Sequence, residues 1–381
     1  MALYDVNGNE IVVQNSGTDT EQELIASSGY NTYKSGGEAS AVAYKKNLTF
    51  AVISDLHGSS QPLIDFVSYI NEKTTYLDFA ICLGDNVPIG GDADTTWFDS
   101  ALNNSNVPIY GVVGNHDVRG VNLSTALTKI FTTPKSKGWM ETTDFGDTNN
   151  GYWYKDFSDY NMRIIGLMEY DNADLLKGNN LYSEYKWYDT AQLKWFADTL
   201  YNTPSAYSVV VFTHQPLINS STRIDNSFSK SGTFSTSAPT AIDGEPIGDI
   251  INAFVTGGSI STTYSPTSAM SSLVDKTATV AKDFSSRGTG KFACHICGHT
   301  HSSWILQHST YSSIKSVVVP SGSSNIYQRL WDDVRYKNTA VNKNNFYVIG
   351  IDTDTKNINL VKVGSDVTVN MTERRFDKVS Y

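Results

Sequence analysis

Short apolar runs, each ending in a polar loop that contains glycine, recur along the chain from residue 47 onward. The first three read LTFAVIS before DLHGSS, LDFAICL before GDNVPIGG, and VPIYGVV before GNHDVRG. Apolar runs of four to eight residues between turn signals are typical of buried strands. Segments with helical spacing separate these runs, at about 61–73 and 94–104. This alternation predicts a mainly parallel sheet covered by helices, with ligands bound at the carboxyl ends of its strands.

The later part of the chain contains a second series of strand-like segments. GYWYKDF and NMRIIGLME read as an antiparallel pair, followed by a helix at about 191–200 and the strand YSVVVFT. KFACHIC leads into GHTH, and four further short runs follow, SWILQH, IKSVVVP, NFYVIGID and INLVKV. We therefore expect a second sheet. A stretch with helical spacing near 268–284 predicts one more helix.

Two regions lack this regular pattern. Residues 14–42 are rich in Ser, Gly, Thr and Asn, and we expect an irregular arm over residues 1–45 before a folded domain at 46–381. Residues 216–290 include the polar, low-complexity piece SFSKSGTFSTSAPT. We interpret this second region as an insertion or lid within the domain.

Composition narrows the classes of partner and the compartment. The net charge of −10 over 381 residues disfavours nucleic acid and anionic membranes as partners. The chain has no apolar run of membrane-spanning length, and its start, MALYDVNGNEIVV, lacks the features of a signal peptide, so we expect a cytoplasmic protein. Three cysteines, Cys82, Cys294 and Cys297, argue against a disulfide framework. Cys294 and Cys297 form a C-x-x-C without a matching second pair, which favours buried packing over a zinc or redox site.

Polar residues that immediately follow the apolar runs supply candidate chemistry. The set includes five of the seven histidines, and it comprises Asp55, His57, Asp85, Asn86, Asn115, His116, Asp117, His214, His299 and His301. Carboxylates, imidazoles and amide oxygens are ligands that suit Zn, Mn and Fe. A pair of divalent ions needs a bridging ligand, for which Asp85 is the candidate. If the D-x-H segment is extended, Asp55 and His57 point the same way toward one ion, and the same geometry applies to His299 and His301.

Five motifs in a fixed order connect these residues to a known family. D-x-H, G-D-N, G-N-H-D, a single histidine after an apolar strand, and G-H-T-H span about residues 50–302. In order and chemistry they resemble the calcineurin-like metallophosphoesterase family. The resemblance implies an α/β fold, a four-layer α/β/β/α sandwich of two mixed sheets flanked by helices. It also implies two divalent or trivalent metal ions (Mn, Fe or Zn), one held by Asp55, His57 and His301, the other by Asn115, His214 and His299, with Asp85 as the bridge.

The implied activity is that of a dinuclear metal phosphohydrolase, a phosphatase or phosphodiesterase acting on a small phosphate ester. A metal-bridging hydroxide would attack phosphorus, His116 would contact the phosphate and assist the leaving group, and Asp117 would orient the His116 ring. Purple acid phosphatases carry a tyrosine where this chain has Pro88, which disfavours that branch. Protein phosphatases show G-D-x-V-D-R-G where this chain reads GDNVPIGG, which disfavours phosphoprotein substrates.

Other interpretations stay open beside this one. The protein could be a binding or structural module, for example in a phage or surface appendage, with a non-catalytic metal site; its start weakly resembles the leaders of phage tail-associated proteins. A metallo-β-lactamase-like hydrolase would need an H-x-H-x-D-H run, which the sequence does not contain. We expect His295 and His308 to be hydrogen-bonded structural residues, whereas Arg119 either contacts the substrate phosphate or is solvated. Oligomeric state is left open by the sequence.

Overall fold

The computed structural model describes residues 47–87, 96–147, 151–171, 173–176, 185–223, 242–268, 270–271, 276–301, 304–322, 346–363 and 376–381, together with four two-residue strands. These strands form two antiparallel pairs, β1 (Leu3–Tyr4) with β2 (Glu10–Ile11) and β3 (Asn31–Thr32) with β4 (Ala43–Tyr44). The rest of the predicted arm at 1–45 lies outside the described residues, as does Pro88. The division into arm and domain stays a prediction.

The first large sheet contains the strands that begin the domain and those that end it. Its six strands are β5 (Leu48–Ile53), β6 (Phe79–Cys82), β7 (Ile109–Gly111), β17 (Phe346–Asp352), β18 (Asn357–Val363) and β19 (Phe376–Ser380). Their order is β19-β18-β17-β5-β6-β7; β5 pairs parallel with β6 and β6 with β7, and the other neighbouring strands pair antiparallel. Helices α1 (Ser60–Glu72) and α2 (Thr96–Asn103) connect these three strands, as the sequence pattern predicted.

The second large sheet is also mixed. Its seven strands are β8 (Trp153–Phe157), β9 (Met162–Gly166), β10 (Ser208–Phe212), β11 (Ser220–Arg223), β14 (Lys291–Cys297), β15 (Trp304–His308) and β16 (Lys315–Val318). Their order is β11-β15-β16-β14-β10-β9-β8, with β9, β10, β14 and β16 parallel. The expected antiparallel pairing of β8 with β9 is confirmed.

Five more α-helices and two 3₁₀ turns connect the strands of the described part of the chain. The helices are α3 (Asn115–Val118), α4 (Leu123–Ser136), α5 (Ala173–Leu176), α6 (Thr190–Tyr201) and α7 (Pro246–Thr256). The 3₁₀ turns lie at Thr142–Asp144 and Ser158–Tyr160. None of the described helices combines the length and the apolar character that crossing a membrane requires.

The helix predicted near 268–284 is wrong. Where it was expected, β13 (Ala278–Asp283) pairs antiparallel with β12 (Ser259–Tyr264) in a separate two-stranded sheet. Ala278 and Val280, two residues apart, are both buried in the same core cluster as α6 and α7. Packing of alternate residues against the helices, together with the cross-strand pairing, favours a strand over a helix at this position.

Alternation along the central strands places the two sheets face to face. In β5, Phe50 and Val52 lie in a core shared with Phe212 of β10, and the rings of Phe50 and Phe212 are 5.7 Å apart between centroids. Ala51 and Ile53 point the other way, into a core with α1 and α2. Because both faces of these strands are buried, their sequences read as unbroken apolar runs.

The outer face of the second sheet is covered in the same manner. Val209 and Val211 of β10 pack in a cluster with residues of α6, α7 and the β12–β13 hairpin. The order of layers is therefore helices, sheet, sheet, helices, which confirms the expected four-layer α/β sandwich. Within the range 216–290, the described α7 and hairpin belong to this outer layer, and residues 224–241 lie outside the described part, so the lid stays a prediction. All three cysteines are buried and free, as expected.

Candidate metal centre

The predicted site residues come together on loops at the carboxyl ends of five parallel strands. Three loops follow β5, β6 and β7 of the first sheet, and two follow β10 and β14 of the second sheet. Backbone bonds join neighbouring loops: Asp55 N donates to Gly84 O at 3.0 Å, and His57 N donates to Asp85 O at 2.8 Å. The site thus lies where both sheets end, and neither sheet could form it alone.

Unusual backbone conformation marks these loops. In the described part of the chain seven non-glycine residues have positive φ, and five of them are predicted ligands: Asp55 (56°), His57 (46°), Asp85 (53°), His299 (67°) and His301 (57°). Residues other than glycine rarely adopt this left-handed conformation. Where they do, the conformation is often retained because function requires it. The expectation that Asp55 and His57, and likewise His299 and His301, converge through an extended backbone is therefore wrong; their left-handed φ angles position them instead.

Two glycines allow the loops after β6 and β7 to touch. Gly84 has a φ of +91°, and a Cβ there would lie 2.5 Å from the backbone nitrogen of Gly114. A Cβ on Gly114 would lie 2.1 Å from the backbone nitrogen of Asp85. Only backbone without side chains fits at this distance, so these glycines bring Asp85 beside the loop that carries Asn115.

The first group of donor atoms consists of Asp55, His57 and His301. The two Nε2 atoms of His57 and His301 are 3.0 Å apart. Asp55 Oδ1 lies 3.3 Å from His301 Nε2 and 3.9 Å from His57 Nε2. Asp55 and His57 are buried, whereas the side chain of His301 keeps 24% of its surface exposed. This group therefore opens to solvent on the His301 side.

The second group consists of Asn115, His214, His299 and Asp85. Asn115 Oδ1 is 3.0 Å from both His214 Nε2 and His299 Nδ1, and those two nitrogens are 3.2 Å apart. His214 Nδ1 donates to the carbonyl of Leu83 at 2.7 Å. Since that carbonyl can only accept, the proton of a neutral His214 is on Nδ1, and Nε2 presents its lone pair to the group.

Asp85 lies between the two groups. Its Oδ2 is 3.3 Å from His214 Nε2 in the second group and 3.8 Å from His57 Nε2 in the first. Its Oδ1 accepts a hydrogen bond of 2.7 Å from the backbone nitrogen of His116. One carboxylate therefore faces donors of both groups while a backbone bond fixes its orientation.

The titration behaviour of the second group shows a strong demand for positive charge. Burial by itself would lower the pKa of His214, but the adjacent Asp85 carboxylate raises it to about 10. Burial would raise the pKa of Asp85, yet attraction to His214 holds it well below the usual value. In His299, burial and the neighbouring His214 lower the pKa to about 3. A proton on His214 thus balances the buried carboxylates, and a bound cation would supply charge of the same sign.

The donor atoms fit divalent cations. Asp55 Oδ1 is buried and has no hydrogen-bond partner among the described residues. Three triplets of described residues each bring one donor atom per residue to within 4.8 Å of the others. They are Asp55, His57 and His301; His57, Asp85 and His116; and Asp85, His214 and His299. Imidazole nitrogen, carboxylate oxygen and amide oxygen are ligands of Zn, Mn and Fe.

His116 and Asp117 occupy the first turn after the Gly114 loop. The His116 ring is half-buried and stands edge-on to the His57 ring, with centroids 4.6 Å apart. The Asp117 carboxylate accepts from the backbone nitrogens of Gly114 at 2.9 Å, Asn86 at 3.0 Å and Val87 at 3.2 Å. Burial and the nearby Asp85 raise the pKa of Asp117 to about 6. Asp117 therefore ties the loops after β6 and β7 together, and its expected role in orienting His116 stays a prediction.

Three residues that the sequence left outside the metal set are also placed. His295 is buried, with Nε2 2.7 Å from Thr213 Oγ1 and Nδ1 2.9 Å from Ser316 Oγ. His308 Nδ1 accepts from the backbone nitrogen of Tyr311 at 3.1 Å. Both histidines are thus hydrogen-bonded residues away from the two donor groups. Arg119 is half-buried and directly follows α3.

Sequence reasoning missed the polar residues packed behind His214. Glu169 and Lys186 are both fully buried, and they contact the backbone that follows His214. Glu169 ends the apolar run NMRIIGLME, a strand-end position like those of the other site residues, whereas Lys186 stands among aromatic residues in EYKWY. The strand-end position of Glu169 and a single lysine among aromatic residues are the signals that the sequence offers for them.

Comparison with known proteins agrees with the geometry of the site. The family model described as calcineurin-like phosphoesterase matches residues 48–236. The chain belongs to this family. No curated protein matches the chain.

Solved structures with low sequence identity align with most of the chain. A conserved uncharacterized protein of Streptococcus pneumoniae, described as a predicted phosphoesterase, is 10% identical with a TM-score of 0.32, covering 89% of this chain and 100% of that one. GAP50, the anchor in the inner membrane complex of Plasmodium, is 13% identical with a TM-score of 0.40, covering 88% and 89%. A protein of Thermus thermophilus is 8% identical with a TM-score of 0.36, covering 88% and 99%.

Proposed function

We propose that this protein is a dinuclear metal phosphohydrolase that hydrolyses a small phosphomonoester or phosphodiester. The observation that carries the proposal is the place of Asp85, whose carboxylate oxygen lies 3.3 Å from a histidine of one donor group and 3.8 Å from a histidine of the other. A shared carboxylate between two groups of nitrogen and oxygen donors is the arrangement that two-metal hydrolases use.

In this proposal each donor group holds one ion of Mn, Fe or Zn. The first would be held by Asp55, His57 and His301, the second by Asn115, His214 and His299, with Asp85 shared between them. Bound cations would lower the pKa of a coordinated water and neutralise negative charge on the phosphoryl oxygens. The family assignment and the orphaned, buried Asp55 Oδ1 both support this use of the residues.

His116 is the residue that we assign to the leaving group. Its ring is partly exposed beside His57, while its backbone nitrogen is fixed on Asp85. A positioned imidazole is a common general acid, so His116 can donate a proton to a departing alkoxide. Asp117 would support this role by holding the loop that carries His116 against the Asn86 loop.

The wider context of the protein is proposed on the same basis. Net charge of −10 makes nucleic acid and anionic membrane unfavourable partners, and a small phosphate ester in the cytoplasm is the substrate that we expect. Ions held by the two donor groups would contact only the phosphoryl group of a substrate, so they would not distinguish monoesters from diesters.

The direct test is hydrolysis of p-nitrophenyl phosphate and bis-p-nitrophenyl phosphate by protein stripped of metal and reloaded with Mn²⁺, Zn²⁺ or Fe²⁺. We expect metal-dependent turnover that Asp85→Asn lowers by roughly 100-fold or more and that His116→Ala lowers by roughly 100-fold to 10,000-fold. Asp65→Asn, a change of the same chemistry on α1, serves as the matched control and should retain full activity. The ratio of diester to monoester turnover then indicates the substrate class.

Absence of turnover in folded, metal-loaded wild-type protein would contradict the proposal. The alternative hypothesis, a binding or structural module, would then be favoured. Stable assembly into a larger particle would support that alternative. Equal loss in Asp85→Asn and Asp65→Asn would also contradict it, because a surface carboxylate has no part in the proposed site.

A further inference from the structure

Two fully buried charges lie outside the donor groups. Glu169 directly precedes Tyr170 after β9 and is 0% exposed, and Lys186 lies before α6 and is 1% exposed. Lys186 Nζ is 3.4 Å from Glu169 Oε1, and Tyr188 OH donates to the same oxygen at 3.1 Å. Lysine and glutamate are rarely buried to this degree unless they are paired, because removing each charge from water is costly. A buried ion pair at this place therefore calls for an explanation beyond stability.

Both members of the pair hold the backbone that follows His214. Glu169 Oε2 accepts a hydrogen bond of 2.7 Å from the backbone nitrogen of Gln215. Lys186 Nζ donates to the carbonyl oxygen of Pro216. The two backbone groups that follow His214 are thus bound by opposite charges of one pair, which itself sits on two other segments of the chain.

Other hydrogen bonds hold the ring and the carbonyl of His214, while the ion pair holds the backbone of residues 215 and 216. The ring is fixed by its bond from Nδ1 to Leu83 O at 2.7 Å, and the His214 carbonyl accepts from Gly298 N at 2.8 Å. Thr213 Oγ1 donates to Gln215 O at 2.6 Å. Metal ligands need support of this kind, because a site works only when its side chains are held within about 0.5 Å of the required geometry.

We infer that Glu169 and Lys186 are positioning residues that hold His214 in place for the ion bound with Asn115 and His299. This inference rests on the proposed function, since it assumes two ion positions. The Lys186 ammonium donates to the backbone that follows His214, and the Glu169 carboxylate accepts from it. Charge-assisted hydrogen bonds of this kind are shorter and stronger than neutral ones. The bonds of the pair go to the backbone that follows His214, so the first ion position, at Asp55, His57 and His301, should keep its affinity when the pair is removed.

The test is the double variant Glu169→Gln with Lys186→Met, which removes both charges and leaves no unpaired charge in the interior. Mn²⁺ binding to metal-stripped, folded protein is measured by calorimetry, with turnover recorded separately. We expect two classes of sites in the wild type, one of them weakened by about 10–100-fold in the variant and the other unchanged, since loss of outer hydrogen bonds typically costs that much affinity.

The matched control removes an ion pair between β8 and β9 of the second sheet. Arg163 donates to both carboxylate oxygens of Asp156 at 2.7 and 2.8 Å, and its other bonds go to the α6 end. Arg163→Met with Asp156→Asn should destabilise the fold without changing either Mn²⁺ affinity. Near-equal weakening of both ion classes, the same loss in the control, or unchanged affinities in the folded Glu169→Gln, Lys186→Met variant would overturn the inference. A wild type that binds no second ion overturns the proposed function itself, before any variant is compared.

Discussion

At the scale of single residues, the site depends on how closely the loops approach one another. Gly298 precedes His299, and its backbone nitrogen donates to the carbonyl of His214. A Cβ at Gly298 would lie 1.9 Å from Ser54 Oγ and 2.6 Å from Asp55 Oδ2. The same carboxylate oxygen accepts from the backbone nitrogen of His299 at 2.9 Å. A side chain at this position would therefore push Asp55 and His299 apart.

Gly298→Ala should weaken metal binding and destabilise the protein. Overpacking of a close contact costs about 1–3 kcal/mol, and here the displaced atoms include a proposed ligand. Urea unfolding gives the free energy of unfolding, and Mn²⁺ titration gives the affinity. Gly258→Ala is the control, since a Cβ there meets only Thr256 Oγ1, at 3.2 Å. Normal Mn²⁺ affinity in Gly298→Ala would mean that the Asp55 contact does not position a ligand.

At the scale of elements, the start of α7 carries a buried acid. Glu245 caps this helix: its Oε1 accepts from Gly248 N at 3.2 Å, while its Oε2 accepts from Asn219 N at 3.0 Å. His308 Nε2 lies 3.9 Å from Oε2. Burial raises the pKa of Glu245 to about 7, although Lys186 opposes this shift, and Asp249 adds to it. The helix start is therefore sensitive to pH in the neutral range.

Glu245→Gln should remove part of the pH dependence of stability. A carboxyl with a higher pKa in the folded protein stabilises the fold below its unfolded pKa of 4.5, and this contribution is lost as pH rises from about 4.5 to about 7. The loss corresponds to about 3 kcal/mol. Urea unfolding with chelator present, at pH 4.5, 6 and 7.5, measures the difference between variant and wild type.

Glu141→Gln provides the control for this experiment, because Glu141 is exposed. Its pH dependence should follow that of the wild type. A Glu245→Gln variant whose unfolding free energy falls with pH as steeply as in the wild type would contradict the assignment of that slope to Glu245.

Prediction of elements from the sequence succeeded where burial on both faces gives an unbroken apolar run. The strands β5, β6, β10 and β14 were all placed correctly, because both faces of each strand pack in an apolar core. β13 was predicted as a helix, because ATVAKD is too short to distinguish a period of two from a helical period. Its pairing with β12, in which the closest registered residues, Tyr264 and Ala278, are fourteen positions apart, is not visible in local sequence.

At the scale of the whole molecule, the candidate metal centre joins the two sheets. Ser54 after β5 forms a parallel bridge with Ser321 after β16, and Ser321 Oγ donates to Asp55 O at 2.8 Å. Donor residues come from loops of both sheets, so a bound ion links the two halves of the sandwich. Ion binding should then stabilise the whole fold, since unfolding separates the donors.

Removing the metal should lower the thermal stability of the protein. At a free Mn²⁺ concentration of 100 times its dissociation constant, one bound ion adds about 2.7 kcal/mol to the free energy of unfolding. Differential scanning calorimetry with Mn²⁺ and with EDTA measures the change. Asp85→Asn should show a smaller difference between the two conditions, because it lacks the shared carboxylate. An equal response to Mn²⁺ in Asp85→Asn and wild type would argue against binding at this centre.

The sequence by itself determined which residues stand at strand ends and what chemistry they offer. Motif order was sufficient for the family, and strand-end position was sufficient to bring Asp55 and Asp85 near each other, because parallel strands of one sheet present their carboxyl ends at one edge. The tertiary structure decided how those residues point: left-handed φ angles, set by contacts between loops, replaced the expected extended geometry. It also decided the buried pair of Glu169 and Lys186, since residues that are distant in sequence meet His214 only when the second sheet and its helices have packed.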